Sequence, residues 1–356
     1  MAEIDRLLEF LNKQGGSDLH LSAYARPMIR LHGTMLPLKA DVMQPAQTER
    51  IFAEIMPPMN KEEFERTSDT DFAYDLPGVA RFRVNVYRDL HGMGGALRLV
   101  PNRITTADEL GLPESVKKFC ELPKGLVLVT GPTGCGKSTS LAALLDIVNR
   151  TRRDHIVTIE DPIEFVHENK LCLVNQREVH SHTESFSRAL RATLREDPDV
   201  VLIGEMRDLE TTHIAIETAE TGHLVFATLH TTTASRTVDR LIDQFPVNQQ
   251  EQIRTMLSNS LSGVVSQMLV QKKPQGRVAA FEVLVATTAA RNCIRERKTH
   301  QIVSVMQTGA KLGMICLNDS LLKLVLEGTV EPKEALAKTV DRDDLRQKLA
   351  VAGIEV

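Results

Sequence analysis

Several residue types are scarce in this chain of 356 residues, and each shortage excludes a class of function. Trp is absent and aromatic residues make up only 4%, so the base-stacking platforms of single-strand nucleic-acid binders have few candidates. The five cysteines, at positions 120, 135, 172, 293 and 316, never form a C-x-x-C pair, which argues against a disulfide framework and a structural zinc site. A reducing cytoplasm fits this cysteine usage best.

The chain also lacks an excess of charge of one sign. It has 43 basic against 47 acidic residues and a formal net charge of −4, so no overall positive field draws it to nucleic acid or anionic lipid. The first residues, MAEIDRLLEF, carry acids where a signal peptide needs a basic start, and no stretch approaches about 18 uninterrupted apolar residues. We therefore expect a soluble protein without a nucleic-acid partner or direct membrane insertion.

The length predicts two domains, since roughly 100–200 residues per domain are usual. Residues 1–100 predict an α+β domain, with a helical pattern at 4–11, short helices near 47–56 and 60–67, and strand-like segments at SDLHLSA, MIRLHG, TDFAYDL, VARFRVNVYR and GGALRLV. Residues 101–112 predict a linker, with a helix start at Thr106.

The remaining residues, 113–356, predict an α/β domain. The apolar runs LVLVT, HIVTIE, VVLIGE and LVFATL alternate with helical segments, and such runs are typical of strands buried on both faces of a parallel sheet. After about residue 247 the sequence predicts mainly helices, with one strand at VAAFEVLV.

The segment GPTGCGKSTS, residues 131–140, carries the pattern G-x-x-x-x-G-K-S between a strand-like run and a helical run. In this pattern backbone N–H groups cradle phosphate, Lys137 reaches the β- and γ-phosphate oxygens, and Ser138 ligates Mg²⁺. We therefore predict a nucleotide-binding loop formed by Gly131, Pro132, Thr133, Gly134, Cys135, Gly136, Lys137, Ser138 and Thr139.

Cys135 within this loop has two interpretations. A thiol beside a helix N-terminus and a lysine is expected to have a lowered pKa and to be reactive. Alternatively, Cys135 is simply a small residue that fits the loop.

Carboxylates follow two of the predicted strands. Glu205 ends VVLIGE, where a Walker-B acid would orient Mg²⁺ and its water, and Glu160, Asp161 and Glu164 follow HIVTI, where an acid can accept a proton from an attacking water. Because ligands of open parallel sheets bind at the carboxyl ends of the strands, we expect these acids near the loop.

Histidines and arginines offer further candidates, with alternatives left open. His223 and His230 flank the strand LVFATL, and its length of roughly 20 Å prevents both from ligating one metal; they are either hydrogen-bonding sensors or ordinary strand-end histidines. Arg81 and Arg83 share one strand face. They either solubilise that face or bind a γ-phosphate. Arginines that bind a γ-phosphate often come from a neighbouring subunit.

The chain resembles the type II/IV secretion ATPases, and most closely their pilus-retraction members. Five segments of the second domain carry the resemblance: GPTGCGKST, TIEDPIEFVH, VNQREV, ALRATLREDPDVVLIGEMRDLET and AETGHLVFATLHTTTASRTVDRLID. The segments SDLHLS, RFRVN and GRVAAFEVLV extend it over nearly the whole chain.

The resemblance implies a PAS-like N-terminal domain followed by a RecA-like ATPase domain with a helical C-terminal part. It further implies a homohexameric motor at the cytoplasmic face of the inner membrane that uses ATP and Mg²⁺ to retract pili by pilin disassembly. Its partners would be an inner-membrane platform protein and the pilin machinery.

The resemblance also implies residue roles. Glu164 would be the catalytic base, with Glu160 as the alternative, and Glu205 the Walker-B acid that holds Mg²⁺ with Ser138. The remaining implied residues are the histidine box, His223 and His230; the phosphate-sensing arginines, Arg81, Arg83 and Arg195; and a retraction segment containing Arg291, Asn292, Arg295 and Glu296.

One missing insertion and two differences from the usual retraction motifs help to choose among the kinds of relative. The tetracysteine insertion usual in pilus-extension and type II secretion relatives is missing, which favours retraction. The retraction segment reads ARNCIRE, and SDLHLSAYARPMIR lacks the usual glycine-proline turn. These departures leave open an accessory retraction paralogue. A RecA-like nucleic-acid translocase and a non-hydrolysing assembly factor are the more distant alternatives.

Overall fold

A computed structural model describes residues 2–31, 33–101 and 103–355 of the chain. The chain divides into two compact units, one formed by Met1–Arg103 and Glu164–Val166 and the other by Ile104–Ile163 and His167–Val356. Each unit has its own hydrophobic core. Among the described residues, no helix combines the length and the apolar character that crossing a membrane requires.

The first unit is an antiparallel sheet with helices. Its helices are α1 (Asp5–Lys13), α2 (Pro45–Ile55) and α3 (Pro58–Thr67). Its strands are β1 (Asp18–Leu21), β2 (Met28–Leu31), β3 (Thr34–Pro37), β4 (Asp69–Leu76), β5 (Ala80–Asp89) and β6 (Gly92–Val100), in the order β3-β2-β1-β6-β5-β4.

The faces of β5 explain how this sheet packs. Phe82, Val84 and Val86 are buried in the core, while Arg81 and Arg83 alternate with them on the opposite, partly exposed face, as the period of two predicts. Gly95 of β6 leaves room for the Phe52 ring of α2, because a Cβ there would lie 2.6 Å from that ring.

The second unit is built on a mainly parallel sheet. Its strands are β7 (Gly125–Thr130), β8 (His155–Glu160), β9 (Leu173–Glu178), β10 (Val200–Ile203), β11 (Leu224–Leu229), β12 (Leu261–Gln271) and β13 (Arg277–Val285), in the order β13-β12-β7-β11-β10-β8-β9. Neighbouring strands from β12 to β9 run parallel, and β13 pairs antiparallel with β12. The parallel sheet predicted from the apolar runs is confirmed.

Helices cover this sheet. They are α4 (Glu114–Lys117), α5 (Lys137–Thr151), α6 (Phe186–Thr193), α7 (Leu209–Thr221), α8 (Ala234–Asp243), α9 (Val247–Ser260), α10 (Thr288–Arg295), α11 (Ile302–Thr308), α12 (Leu317–Leu326), α13 (Pro332–Lys338) and α14 (Arg342–Val351). The helices α12 to α14 pack around a smaller separate cluster that includes Leu321, Leu345 and Leu349.

Two local predictions are wrong. Thr106 forms capping hydrogen bonds with Glu109, at 2.8 and 3.3 Å, but a turn follows it, because Gly111 takes a left-handed φ of +66° and Pro113 follows two residues later. The described part of the chain after about residue 247 is mainly helical as predicted, but it contains two strands instead of one. The missed strand is β12, whose polar residues Ser266 and Gln267 interrupt the apolar run. Both side chains are buried and hydrogen-bonded inside the protein.

Candidate nucleotide-binding site

The glycine-rich loop joins the carboxyl end of β7 to the first turn of α5. Gly131, Gly134 and Gly136 have φ values of +144°, +77° and +91°, which only glycine adopts readily. Gly136 is the N-cap residue and Lys137 the first residue of α5. The unpaired N–H groups of a helix start and its positive dipole end favour a bound phosphate, so the loop has the form that the sequence predicted.

Lys137 is the cation of this loop. Its Nζ donates hydrogen bonds to the carbonyl oxygens of Gly131 and Pro132, at 2.8 and 3.2 Å. It also lies 3.5 Å from Nδ1 of His230. The ammonium group is therefore held over the loop where phosphate oxygens would bind.

His230 connects the lysine to the acid at the end of β10. Its Nε2 lies 2.9 Å from Oε1 of Glu205, and Arg207 donates to Oε2 of Glu205 at 2.8 Å. The neutral tautomer with the proton on Nε2 satisfies both contacts, since Nδ1 then accepts from Lys137. The structure thus brings together three predicted residues, and adds Arg207, whose only sequence signal was its place two residues after the acid.

The charge of Glu205 is fixed by its neighbours. Burial by itself would raise the pKa of this carboxyl group, but its hydrogen bonds and electrostatic interactions with Arg207 and His230 outweigh that effect. The net result is a pKa below the ordinary glutamate value. Glu205 is therefore ionised near neutral pH, as a ligand of a divalent cation must be.

The other predicted acids lie in different surroundings. Glu160 ends β8, beside β10, and its Oε1 accepts hydrogen bonds from Thr158 at 2.6 Å and Gln176 at 3.1 Å. Ile159 of β8 pairs with Ile203 of β10. The next residue of each strand segment, Glu160 and Gly204, therefore lies at the carboxyl edge of the sheet. Glu164 is exposed and belongs to the short segment that groups with the first unit.

Of the other implied residues, two lie at the opposite edge of the sheet and two belong to the first unit. His223 precedes β11 at the amino edge of the sheet, where its Nδ1 lies 3.0 Å from the Thr218 carbonyl oxygen. Arg195 is exposed in the connection from α6 to β10, which leads to the same amino edge. Arg81 belongs to the first unit and pairs with Asp75 at 3.0 Å, and Arg83 lies on the same strand.

The retraction segment forms α10 and the residues after it. Arg291 donates to the carbonyl oxygens of Ala286 and Leu261, at 3.0 and 3.1 Å, and so ties α10 to the ends of two strands. Asn292, Arg295 and Glu296 are exposed. Arg291 is therefore part of the fold, and the exposed residues are the better candidates for a contact outside the chain.

The predicted lowering of the Cys135 pKa is wrong. The residue is only 3% exposed, and burial raises the pKa of the thiol above its ordinary value, more than the Lys137 charge and the nearby backbone N–H groups lower it. Its Sγ lies beneath the loop, where a Cβ on Gly131 would come within 2.7 Å of it. Cys135 does not present its thiol to phosphate; it fills the space under the loop.

We expect Cys135 to be a slow target of alkylation. Because the thiolate is the nucleophile, a raised pKa and burial both slow the reaction with iodoacetamide. Peptide mass spectrometry at about pH 7 should find Cys293, which is only partly buried, labelled before Cys135. A Cys135→Ser variant controls for loss of activity caused by labelling elsewhere. Labelling of Cys135 at least as fast as Cys293 would contradict this expectation.

The residues at the loop fit a magnesium ion. Among the described residues no group of three or more His, Cys, Asp and Glu side chains could hold a metal. Mg²⁺ in nucleotide sites is instead bound by one or two protein oxygens together with phosphates and waters. The Ser138 hydroxyl in the first turn of α5 and the ionised Glu205 carboxylate supply ligands of this kind.

The parallel sheet, the loop before α5 and the acid at the end of β10 define a RecA-like P-loop ATPase. Residues 2–337 match the Type II/IV secretion system protein family, and the chain belongs to this family, in its PilT branch.

Individual relatives agree with this assignment. The chain is 52% identical over 336 residues to the type IV pilus retractation ATPase PilT of Pseudomonas aeruginosa PAO1, covering 94% of this chain and 98% of PilT. It is 38% identical over 345 residues to the type IV pilus ATPase PilU of the same strain, covering 97% of this chain and 90% of PilU. The crystal structure of the pilus retraction motor PilT with bound ADP superposes with a TM-score of 0.91 at 44% identity, covering 98% of this chain and 100% of that one. The predicted fold class is confirmed.

Proposed function

We propose that this protein is a Mg²⁺-dependent ATPase motor that retracts type IV pili by pilin disassembly and so drives twitching motility. The observation that carries the proposal is the connected group of Lys137, His230, Glu205 and Arg207 beside the glycine-rich loop. The similarity to PilT along 94% of the chain supports the same conclusion.

The chain's own residues account for most of what the reaction needs. Phosphoryl transfer depends mainly on positioning and on charge stabilisation, which the loop N–H groups and Lys137 provide. Ser138 and Glu205 would hold Mg²⁺, which neutralises developing charge on the phosphates when bound. His230 keeps Lys137 and Glu205 at fixed distances on either side of the imidazole.

The catalytic base in this proposal is Glu164, with Glu160 as the alternative. A base needs a carboxylate oxygen available to a water molecule. Glu160 already accepts two hydrogen bonds on Oε1, so that oxygen is less available to a water molecule. Glu164 is exposed, so water can reach its carboxylate, and this favours Glu164 as the base.

The active form in this proposal is a homohexamer at the cytoplasmic face of the inner membrane. Arg195 and His223 lie at the amino edge of the sheet, opposite the loop, and Arg81 and Arg83 belong to the first unit. We propose that all four act on the nucleotide of a neighbouring subunit. Arginines supplied in trans stabilise transition-state charge in many NTPases. The partners would be the inner-membrane platform protein and the pilin machinery.

A PilU-like accessory motor is the second candidate. The lower identity to PilU, 38% against 52% to PilT, favours the main motor. The net charge of −4 gives no support to a nucleic-acid translocase. The acid and lysine of the site speak against a non-hydrolysing assembly factor.

Complementing a strain that lacks this gene tests retraction directly. We expect the wild-type gene to restore twitching and pilus withdrawal, while Asn292→Ala with Arg295→Ala leaves most of the ATPase rate but stops withdrawal. Both side chains are exposed on α10 and far in sequence from the phosphate loop. Arg346→Ala, which changes an exposed arginine of α14, is the matched control.

Two outcomes of that experiment would count against the proposal. Normal twitching in the deletion strain would assign the protein an accessory role. Equal loss of ATPase activity and withdrawal in the double variant would make these residues part of the ATPase fold instead of a retraction contact.

A further inference from the structure

Gln267 is a buried polar residue that the sequence patterns did not select. It lies on β12 directly under the phosphate loop and is only 5% exposed. Its Oε1 accepts a hydrogen bond from the Ser140 hydroxyl at 2.7 Å, and its Nε2 donates to the carbonyl oxygen of Cys135 at 2.7 Å. One amide thus binds the loop and the first turn of α5 at the same time.

The glycines of the loop are shaped to this residue. A Cβ on Gly131 would collide with the backbone oxygen of Gln267, and a Cβ on Gly136 would lie 2.9 Å from its Nε2. Side-chain atoms do not approach a neighbour so closely without displacement. Two of the three loop glycines therefore allow close approach to Gln267, in addition to adopting their positive φ angles.

The position of Gln267 on β12 is itself fixed. The preceding residue, Ser266, pairs with Thr130 in the parallel ladder between β12 and β7, and their hydroxyls lie 2.8 Å apart. On the other side Gln267 pairs with Phe281 of β13. Gln267 thus stands one residue beyond the last paired residue of β7, at the point where the chain turns into the loop.

We propose that Gln267 is a positioning residue that holds the phosphate loop in its binding conformation. Its two hydrogen bonds fix the carbonyl of Cys135 and the hydroxyl of Ser140, and so orient the backbone N–H groups between them toward phosphate. Without them, the loop must be ordered when the nucleotide binds, which weakens binding. This inference rests on the proposed nucleotide-hydrolysing function and adds β12 to its site.

Two variants of Gln267 test the proposal. Gln267→Leu removes both hydrogen bonds, and Gln267→Glu keeps the acceptor for Ser140 but places an oxygen against the Cys135 carbonyl. We expect the Kd for a fluorescent ADP analogue and the KM for ATP to rise about tenfold in both variants, equivalent to about 1.4 kcal/mol. The kcat at saturating ATP should change much less, because the reacting groups are unchanged.

A matched control lies on the same strand. Gln271→Leu changes an exposed glutamine four residues along β12, and we expect it to leave the nucleotide Kd unchanged. Folding of each variant is checked by its melting temperature. If Gln267→Leu does not fold, the similarly sized Gln267→Glu variant decides.

The outcomes separate this inference from the proposed function. Folded Gln267 variants with a Kd within about twofold of wild type, or failure of both variants to fold, would overturn the positioning role. Even if the positioning role is overturned, the proposed function stands as long as the wild type binds nucleotide and Lys137→Ala loses activity. ATPase activity that survives Lys137→Ala would overturn the proposed function itself.

Discussion

Replacing Lys137 by alanine is expected to lower the ATPase rate by at least about 10²–10³-fold, the usual cost of removing one preorganised charge from a transition state. The reason is positional. Lys137 is the first residue of α5, and its Nζ lies over the loop carbonyls of Gly131 and Pro132. No other loop residue, from Gly131 to Thr139, carries a positive charge.

The measurement is steady-state phosphate release at saturating ATP and Mg²⁺. Lys124→Ala is the matched control, because Lys124 is exposed immediately before β7 and its removal changes the net charge equally. Lys137→Ala should melt close to the wild-type temperature, since its side-chain partners are loop carbonyls and His230. Activity near the wild-type level would disprove the assignment of the phosphate loop.

Replacing Glu164 by glutamine is expected to lower kcat by about 10²–10⁴-fold while nucleotide still binds, because an amide cannot take the proton of the attacking water. Glu160→Gln is the paired comparison. Its amide oxygen can still accept the hydrogen bonds from Thr158 and Gln176, so we expect a smaller loss. Single-turnover hydrolysis and the Kd for ADP measure the two effects separately.

The comparison is decisive in either direction. A larger loss of kcat in Glu160→Gln would make Glu160 the base and would agree with its place beside β10 at the carboxyl edge of the sheet. Loss of nucleotide binding in Glu164→Gln would mean that the residue supports the loop or the metal and does not act on water.

The pattern-based predictions that succeeded rest on local rules. The glycines, Lys137 and Ser138 are contiguous, and their positive φ angles and helix start follow from residues within a few positions of one another. The strands β7, β8, β10 and β11 were recognisable because each is a short apolar run buried on both faces. The family resemblance added residue roles, which stay predictions.

The prediction for Cys135 failed because its outcome depended on residues distant in sequence. Cys135 lies beside a helix start and a lysine, and both would lower a thiol pKa. The outcome was reversed by burial of the thiol, in a loop whose Cys135 carbonyl oxygen accepts a hydrogen bond from Gln267 of β12, a strand that the sequence did not reveal. His223 and His230 lie at opposite ends of one strand, as their spacing predicted, and only the structure shows that His230 is at the edge where the loop begins.

The sequence by itself determined the phosphate loop, the parallel sheet and the family, because contiguous motifs and the alternation of apolar runs are encoded over a few residues. Only the tertiary structure decided which distant groups complete the site. Gln267 and Ser140 are 127 positions apart and His230 and Lys137 are 93 apart, so their contacts exist only once the sheet has brought β7, β11 and β12 side by side. Whether a thiol ionises and which hydroxyl an amide binds depend on burial and on distances of a few ångströms, and these are properties of packing that no local pattern contains.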